Sequence, residues 1–235
     1  MRLRYSALIV MLSTAGIMGS LVASQAQITK TPAGYVFKRK FAQGMKIGFV
    51  INMQMNVAGL PKNMMGNMPS DAKITTGFNL TVKEVQGDTA KVSITTDPTM
   101  MNGKQQQAGT TNESSMKLTG GNIGVKDDFT NVILPQKPIK EGEKYSLGGS
   151  TQGPKCQFVG MKTVNGKQVA VIVMNYNRNE NSKAQGDMKM NVVATALVDV
   201  TDGWPLSLVV RGGVNGKQKE ANFNASFNSN LARKP

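Results

Sequence analysis

Apolar and polar residues alternate with a period of two over long stretches of this chain. The clearest stretch runs from Met45 to Val57, where the odd positions are apolar and most even positions are polar. A period of two places successive side chains on opposite faces of a β-strand. At roughly 3.3 Å per residue, an unbroken strand of this length would extend about 40 Å, well beyond a usual strand. The pattern therefore predicts a long strand with one apolar and one polar face.

Further alternating segments, separated by turn-forming residues, indicate an antiparallel meander. Apolar residues alternate at positions 74–82, 90–94, 169–173 and 188–198, and hairpin turns are expected at 86–88, 165–166, 202–203 and 215–216. No segment after residue 26 has a convincing helical period. We predict a mainly β protein with a long, antiparallel, strongly curved sheet, in the form of a half-barrel or open barrel.

Two segments interrupt the alternation and are predicted to be loops. Residues 58–70 contain glycine and proline together with Leu60 and several methionines. Residues 101–115 are polar and rich in Gln, Thr and Asn, which is typical of a mobile loop.

A weak internal repeat relates two of the expected hairpins. The segment 83–94 matches the segment 162–173 at six positions, and residues 43–46 match residues 141–144 with a larger offset. Generic hairpins also resemble one another, so chance is an alternative explanation. We predict a single β domain over residues 27–235, in which two similar halves would span about 33–100 and 134–235.

The first 26 residues have the features of a signal peptide. Arg2 and Arg4 precede an apolar stretch that runs to about Val22, and Ser24 to Ala26 offer a small-residue cleavage site. Serine and glycine interrupt the apolar run and make it short for a membrane anchor. We expect cleavage of residues 1–26 and a periplasmic or secreted bacterial protein.

The residue composition narrows the possible chemistry. The chain has 28 Lys+Arg against 14 Asp+Glu, a net charge of +14, no His and one Cys. The lack of His excludes His-based triads and His metal sites, and a single Cys excludes multi-Cys zinc sites. Basic residues such as Lys38, Arg39 and Lys40 favour anionic partners, including lipid headgroups or an anionic envelope surface. Nucleic-acid binding is not expected, because interleaved aromatic residues and a recognition motif are missing.

The methionines are the most unusual feature of the sequence. Met53, Met55, Met188 and Met190 fall on apolar strand faces, where Met fills a core or lines a cavity for varied apolar ligands. Loop methionines could instead bind Cu(I), which prefers thioether ligands. The candidate ligand-binding residues are Met53, Met55, Leu60, Met64, Met65 and Met68.

The sequence contains no evident catalytic arrangement. Cys156 has no His to activate it and is expected to be a buried small side chain. The close carboxylate pairs are expected to be turn residues: Asp127 with Asp128, Glu141 with Glu143, and Asp199 with Asp202. Neither a phosphate-binding glycine loop nor a nucleophile elbow is present. We expect no enzymatic activity, no cofactor and no metal site built from His or Cys.

Three segments resemble a group of exported bacterial β-rich proteins of unknown function. They are Phe41-x-x-Gly44, then Leu134-Pro135-x-Lys137-Pro138-Ile139-Lys140-x-Gly142-Glu143-x-Tyr145, and finally Asp199-x-x-Asp202-Gly203-Trp204-Pro205-Leu206. Many members of that group have Trp at the position of Tyr145. More distantly, the chain is similar to the half-barrel carriers of lipoproteins and lipoglycans in the periplasm. That resemblance implies a sheet that holds acyl chains.

The sequence thus favours an exported, non-catalytic protein that binds an apolar or amphipathic, lipid-like ligand. Two alternatives stay open. One is a structural or assembly module of the bacterial cell envelope, which would expose an apolar surface or a sheet edge to its partners. The other is Cu(I) binding by the methionines of the 58–70 loop.

Overall fold

A computed structural model of the chain describes residues 27–59, 69–117, 134–146, 154–182, 186–218 and 221–235. These residues form strands and turns, and no helix occurs among them. A helix long and apolar enough to cross a membrane is therefore not found in the described ranges. The predicted signal peptide lies outside them. The strands are β1 (Ile28–Thr31), β2 (Gly34–Phe37), β3 (Lys46–Ala58), β4 (Asp71–Gln86), β5 (Thr89–Thr96), β6 (Thr99–Met101), β7 (Lys104–Gln107), β8 (Thr111–Lys117), β9 (Lys144–Ser146), β10 (Lys155–Val164), β11 (Lys167–Ser182), β12 (Gly186–Asp199), β13 (Pro205–Gln218) and β14 (Ala221–Arg233).

Twelve strands form one antiparallel sheet, and β1 and β2 form a separate hairpin. The order across the sheet is β7-β6-β4-β3-β14-β13-β12-β11-β10-β9, with β5 paired to β4 and to β8. The sheet is not closed into a barrel. This confirms the prediction of a mainly β fold with a long antiparallel sheet, and a half-barrel or open sheet describes it.

The long strands and three of the four expected turns are found where the alternation places them. The predicted 45–57 strand is β3, which has 13 residues, and β4 and β11 each have 16. The turn between β10 and β11 is formed by Asn165 and Gly166, both with positive φ, 49° and 76°. An Asn-Gly pair favours this conformation because its backbone twist matches that of the flanking strands. The two hairpins of the sequence repeat, β4–β5 and β10–β11, lie towards opposite edges of the sheet, and the division into halves stays a prediction.

The predicted mobile loop at 101–115 is wrong. These residues form the end of β6, all of β7 and most of β8. The sequence of β7 lacks the alternation of apolar and polar residues because this strand is exposed on both faces and needs no apolar one. A tight turn at Asn102 and Gly103, with φ of 50° and 79°, joins β6 to β7.

The predicted hairpin turn at 215–216 is also wrong. Asn215 and Gly216 lie inside β13 and pair with Asn224 and Phe223, and the chain reverses between Gln218 and Ala221. Another glycine of this strand leaves room for an aromatic ring on the neighbouring β14. At the preceding glycine on the same face, Gly212, a Cβ atom would lie 2.6 Å from the ring of Phe227.

The cross-strand register defines two faces of the sheet. We call the face that carries the buried core the inner face, and the opposite one the outer face. In the first half of β3, Ile47 and Phe49 point to the inner face and are buried. Across the sheet, buried Phe158, Ile172 and Ala196 continue this layer. Burying such side chains contributes roughly 1.5–3 kcal/mol each and is the main stabilisation of the sheet.

One end of the inner face is covered by the β1–β2 hairpin and two connecting segments, and we call it the closed end. Phe37 of the hairpin packs edge-on against Phe158, with ring centroids 5.3 Å apart. Tyr35 and Ile139 exchange two backbone hydrogen bonds of 2.7 and 3.0 Å, which fasten residues 134–140 to the hairpin. The segments that carry the sequence resemblance therefore meet at the closed end.

Trp204 is the centre of that closed end. Its ring is 1% exposed and packs edge-on against Phe41, and its indole N–H donates a 3.0 Å hydrogen bond to the carbonyl oxygen of Lys40. Gly203, with φ of 70°, permits this approach, since a Cβ atom there would overlap the carbonyl oxygen of Lys38. The expected basic surface at residues 38–40 needs a correction for Arg39, which is fully buried. Its guanidinium lies 5.2 Å from the Trp204 ring centroid, a cation–π contact that compensates in part for its burial.

Candidate ligand-binding face

The apolar inner face continues beyond the closed end, where the hairpin no longer covers it. We call this continuation the distal strip. It consists of four rows of inner-face residues that cross β4, β3, β14, β13, β12 and β11. The rows are Ile74, Met53, Ser229, Val210, Ala194 and Met174; Ala72, Met55, Phe227, Gly212, Val192 and Tyr176; Val57, Ala225, Val214 and Met190; and Phe223, Gly216 and Met188.

Most side chains of the distal strip are half-buried, in contrast to the fully buried core. On β3 and β14 the alternation is regular, since Met53, Met55 and Phe227 are half-buried while the polar residues between them are exposed. With six strands about 4.8 Å apart, the strip measures about 24 Å across, and its four rows extend about 20 Å along the strands. Only a part of this area is accessible to solvent, because its side chains are half-buried or buried.

The composition of the strip suits a flexible apolar ligand. Five methionines line it, and thioether side chains adapt to irregular shapes more readily than branched ones. Tyr176 adds a polar group at the β11 side, and its hydroxyl accepts a hydrogen bond from Arg178 at 3.4 Å.

Two cations border the distal strip on the same face of the sheet. Arg178 is exposed and pairs in register with Met190 of the third row. Lys104, on the edge strand β7, is exposed and pairs with Met101, which in turn pairs with Ile74 of the first row. An amphipathic ligand could therefore place an apolar body on the strip and an anionic group at either side.

The structure places two of the six predicted ligand-binding residues in the distal strip, Met53 and Met55. The other four, Leu60, Met64, Met65 and Met68, lie outside the described residues. The cross-strand neighbours of Met53 and Met55 are Ile74, Ser229, Ala72 and Phe227. Within the described strands these two methionines therefore have no methionine directly across from them, and the pair does not form the convergent thioether cluster that Cu(I) would need.

Sequence reasoning missed the aromatic and valine residues that complete the strip. Phe227 comes next to Met55 only through the pairing of β14 with β3, and Val210 joins the strip only through the pairing of β13 with β12 and β14. The alternation of Asn with Phe and Ala at 222–228 is a usable signal for β14 and for its apolar face. No local pattern, however, indicates that the last strand lies beside the first long one.

Cys156 is buried, as predicted, and it faces Tyr145 across the β9–β10 pairing. Burial raises the pKa of the Cys156 thiol to about 11, although a hydrogen bond with the Tyr145 hydroxyl lowers it slightly. Burial and the neighbouring Cys156 raise the pKa of Tyr145 as well. A thiol that stays protonated at neutral pH is a poor nucleophile, so this pair is best described as part of the core.

Three of the carboxylates that the sequence assigns to turns accept hydrogen bonds from nearby backbone N–H groups. Asp199 and Asp202 accept hydrogen bonds from the backbone N–H groups of Thr201 and Trp204, at 2.8 and 2.9 Å. Glu143 accepts one from the N–H of Lys140. These positions agree with the turn roles predicted from the sequence, while Asp127 and Asp128 lie outside the described residues.

No protein-family model matches the chain. No curated protein sequence matches it either. Among solved structures, the chain is similar to lipovitellin, in a structure concerned with lipid–protein interactions, with a TM-score of 0.44, 9% identity, and coverage of 83% of this chain and 26% of lipovitellin. It is also similar to a DUF1329 family protein from Desulfovibrio piger (TM-score 0.20, 7% identity, coverage 80% and 85%). A third similar structure is the acyl-CoA thioesterase II TesB2 from Mycobacterium marinum (TM-score 0.17, 9% identity, coverage 80% and 81%).

The chain spans about a quarter of the lipovitellin chain. At these TM-scores and identities, none of the three structures assigns a function to it. What the described residues define is a class of architecture: an open antiparallel sheet with an apolar inner face, closed at one end and half-buried at the other.

Proposed function

We propose that the protein is an exported, non-catalytic binding protein for an apolar or amphipathic, lipid-like ligand, which lies on the distal strip. The observation that supports this most directly is the continuation of apolar residues past the covered core. Met55, Phe227 and Val192 are half-buried on the inner face, while the polar residues on the other face of their strands are exposed. Because the part of these apolar side chains that water still reaches is unfavourable, a ligand that covers it would stabilise the protein.

The cations beside the strip suggest an anionic group on the ligand. Arg178 and Lys104 lie at opposite sides of the apolar area, and the whole chain carries a net charge of +14. A fatty acid or an anionic lipid would match both features, with its acyl chain on the strip and its headgroup near a cation. Export to the bacterial periplasm or secretion is part of this proposal and rests on the composition of residues 1–26.

The experiment is a binding titration with a fluorescent long-chain fatty acid and two matched variants. Met55→Asp places a carboxylate in the distal strip, and Gln54→Asp places the same charge on the outer face one residue earlier. We expect Met55→Asp to weaken binding by about tenfold or more, because an unpaired carboxylate is costly to bury against an acyl chain. Gln54→Asp should bind within about twofold of the natural protein.

Circular dichroism and thermal unfolding show whether Met55→Asp keeps its fold. If that variant does not fold, Met55→Gln, which is isosteric enough to be tolerated, takes its place with a smaller expected loss. Equal binding by the inner-face variant and by Gln54→Asp would contradict the proposed site. Absence of binding by the natural protein would favour the alternative of a cell-envelope assembly module, in which a protein partner covers the strip.

A further inference from the structure

The outer face of the five central strands is unusually rich in side-chain carboxamides. Three lie on β3, four on β14, three on β11 and one each on β12 and β13, twelve in all, and every one is exposed. They are Asn52, Gln54, Asn56, Asn222, Asn224, Asn228, Asn230, Asn175, Asn177, Asn179, Asn191 and Asn215. Asparagine is depleted in strands, and Thr or Lys would keep this face soluble at a lower cost. The enrichment therefore points to a role beyond solubility.

The middle of this outer face also carries positive charge. Lys189, Arg211 and Lys217 are exposed on it. The segments 46–58, 169–179, 188–198, 205–217 and 222–233 contain no Asp or Glu, and the acidic residues of these five strands, Glu180, Asp187 and Asp199, lie at or near strand ends. The face thus combines neutral hydrogen-bonding groups with cations that an anionic partner would neutralise.

One row across the five strands shows the combination most clearly, and we call it the central outer row. The register aligns Gln54 with Asn228, then with Arg211, Val193 and Asn175. All five side chains are exposed, Val193 by 41%. Neighbouring positions in such a row are about 5 Å apart, so the row extends about 19 Å across the sheet.

We propose that this outer face binds an acidic polysaccharide, whose chain lies across the strands along the central outer row. Each carboxamide can donate and accept hydrogen bonds, which matches the hydroxyl groups of a sugar. The Arg211 guanidinium can pair with a carboxylate through two parallel hydrogen bonds. Val193 offers an apolar contact for the C–H face of a sugar ring.

A polynucleotide fits this face less well than a polysaccharide. The aromatic residues of these strands that the structure describes, such as Phe49, Tyr176, Phe223 and Phe227, lie on the inner face. The outer face therefore has no described aromatic ring on which a base could stack.

The test uses polygalacturonate as the probe and isothermal titration calorimetry of the full-length mature chain at physiological ionic strength. The variant Gln54→Thr/Asn228→Thr/Asn175→Thr removes three carboxamides and keeps residues that favour strands. Its control, Gln105→Thr/Gln106→Thr/Gln107→Thr, removes three exposed carboxamides from the edge strand β7. We expect the first triple variant to weaken binding by about tenfold, the equivalent of about 1.4 kcal/mol, and the control to stay within about twofold.

A second pair of variants separates the site from the overall charge. Arg211→Gln and Arg178→Gln make the same change on opposite faces of the sheet. Weaker polygalacturonate binding by Arg211→Gln than by Arg178→Gln supports the proposal. The proposal is overturned if the natural protein does not bind polygalacturonate, or if single-stranded DNA binds more tightly. It is also overturned if both triple variants lose binding equally, or if both arginine variants do. Since these outcomes concern the outer face, they do not depend on a ligand at the distal strip.

Discussion

Single side chains at the closed end explain why three distant parts of the sequence come together. Trp204 contacts Phe41 and bonds to the carbonyl oxygen of Lys40, while Lys40 donates its N–H to the carbonyl oxygen of Asp202. Asp202 also pairs with Arg233 near the end of β14, at 2.6 Å. These contacts join the segment between β2 and β3, the turn before β13 and the end of β14.

At this scale we expect Trp204→Ala to lower the free energy of unfolding by about 3–5 kcal/mol, because it removes a fully buried ring and its hydrogen bond. Trp204→Phe should lose less, since it keeps the ring contact with Phe41. Urea unfolding followed by circular dichroism measures both changes. A loss below about 1 kcal/mol for Trp204→Ala would contradict the central position of this residue.

The buried thiol gives a pH-dependent expectation. Because burial raises the pKa of Cys156 to about 11, above the free value of 9.0, the folded state holds this proton more tightly than the unfolded state. Its contribution to stability is therefore complete below about pH 9 and is lost as the pH rises towards 11. The free energy of unfolding of the natural protein should fall more steeply over this range than that of Cys156→Ala. Parallel pH profiles would contradict the assignment.

At the scale of the element, strand patterns were readable from the sequence only where one face is buried. Apolar and polar residues alternate clearly in β3 and β12 because the inner faces of these strands pack against the core. The short strands β6 and β7 escaped prediction because both lie at an edge of the sheet, where solvent replaces the apolar layer. The Asn215–Gly216 pair was misleading because both residues lie inside β13 and pair with β14, so they form no turn.

Gly212 provides a test of the packing role of glycine in β13. Gly212→Ala would bring a Cβ atom within 2.6 Å of the Phe227 ring and 2.7 Å of the Asn191 carbonyl oxygen. We expect a loss of about 1–3 kcal/mol in the free energy of unfolding. Adding Phe227→Leu should recover part of the loss by relieving the contact with the ring. If Gly212→Ala is neutral by urea unfolding, glycine at this position has no packing role.

Strand β11 places the cation Arg178 at the end of the distal strip, beside Tyr176 and Met190. We expect Arg178→Gln to weaken binding of a long-chain fatty acid by about threefold and to leave its uncharged methyl ester unaffected. Arg211→Gln, which removes the same charge from the outer face, is the control. Equal losses for acid and ester would show that Arg178 does not recognise the anionic group.

At the scale of the whole molecule, the sheet separates two chemistries on its two faces. The long-range pairing of β14 with β3 places Phe227 beside Met55 on the inner face, and Asn228 beside Gln54 on the outer face. This pairing could not be predicted from the sequence, since any strand of matching alternation fits beside β3. The predicted site was accordingly incomplete: Met53 and Met55 were found from their alternation, and their partners on β12, β13 and β14 were not.

Native mass spectrometry of the mature protein, purified from a bacterial periplasm, shows whether the inner face holds an apolar or amphipathic ligand. Organic extraction of the same sample identifies whatever accompanies the chain. We expect a stoichiometric lipid-like molecule with the natural protein and with Gln54→Asp, and its loss from Met55→Asp. A bare protein mass in all three samples, or equal retention of the lipid by both variants, would contradict this expectation.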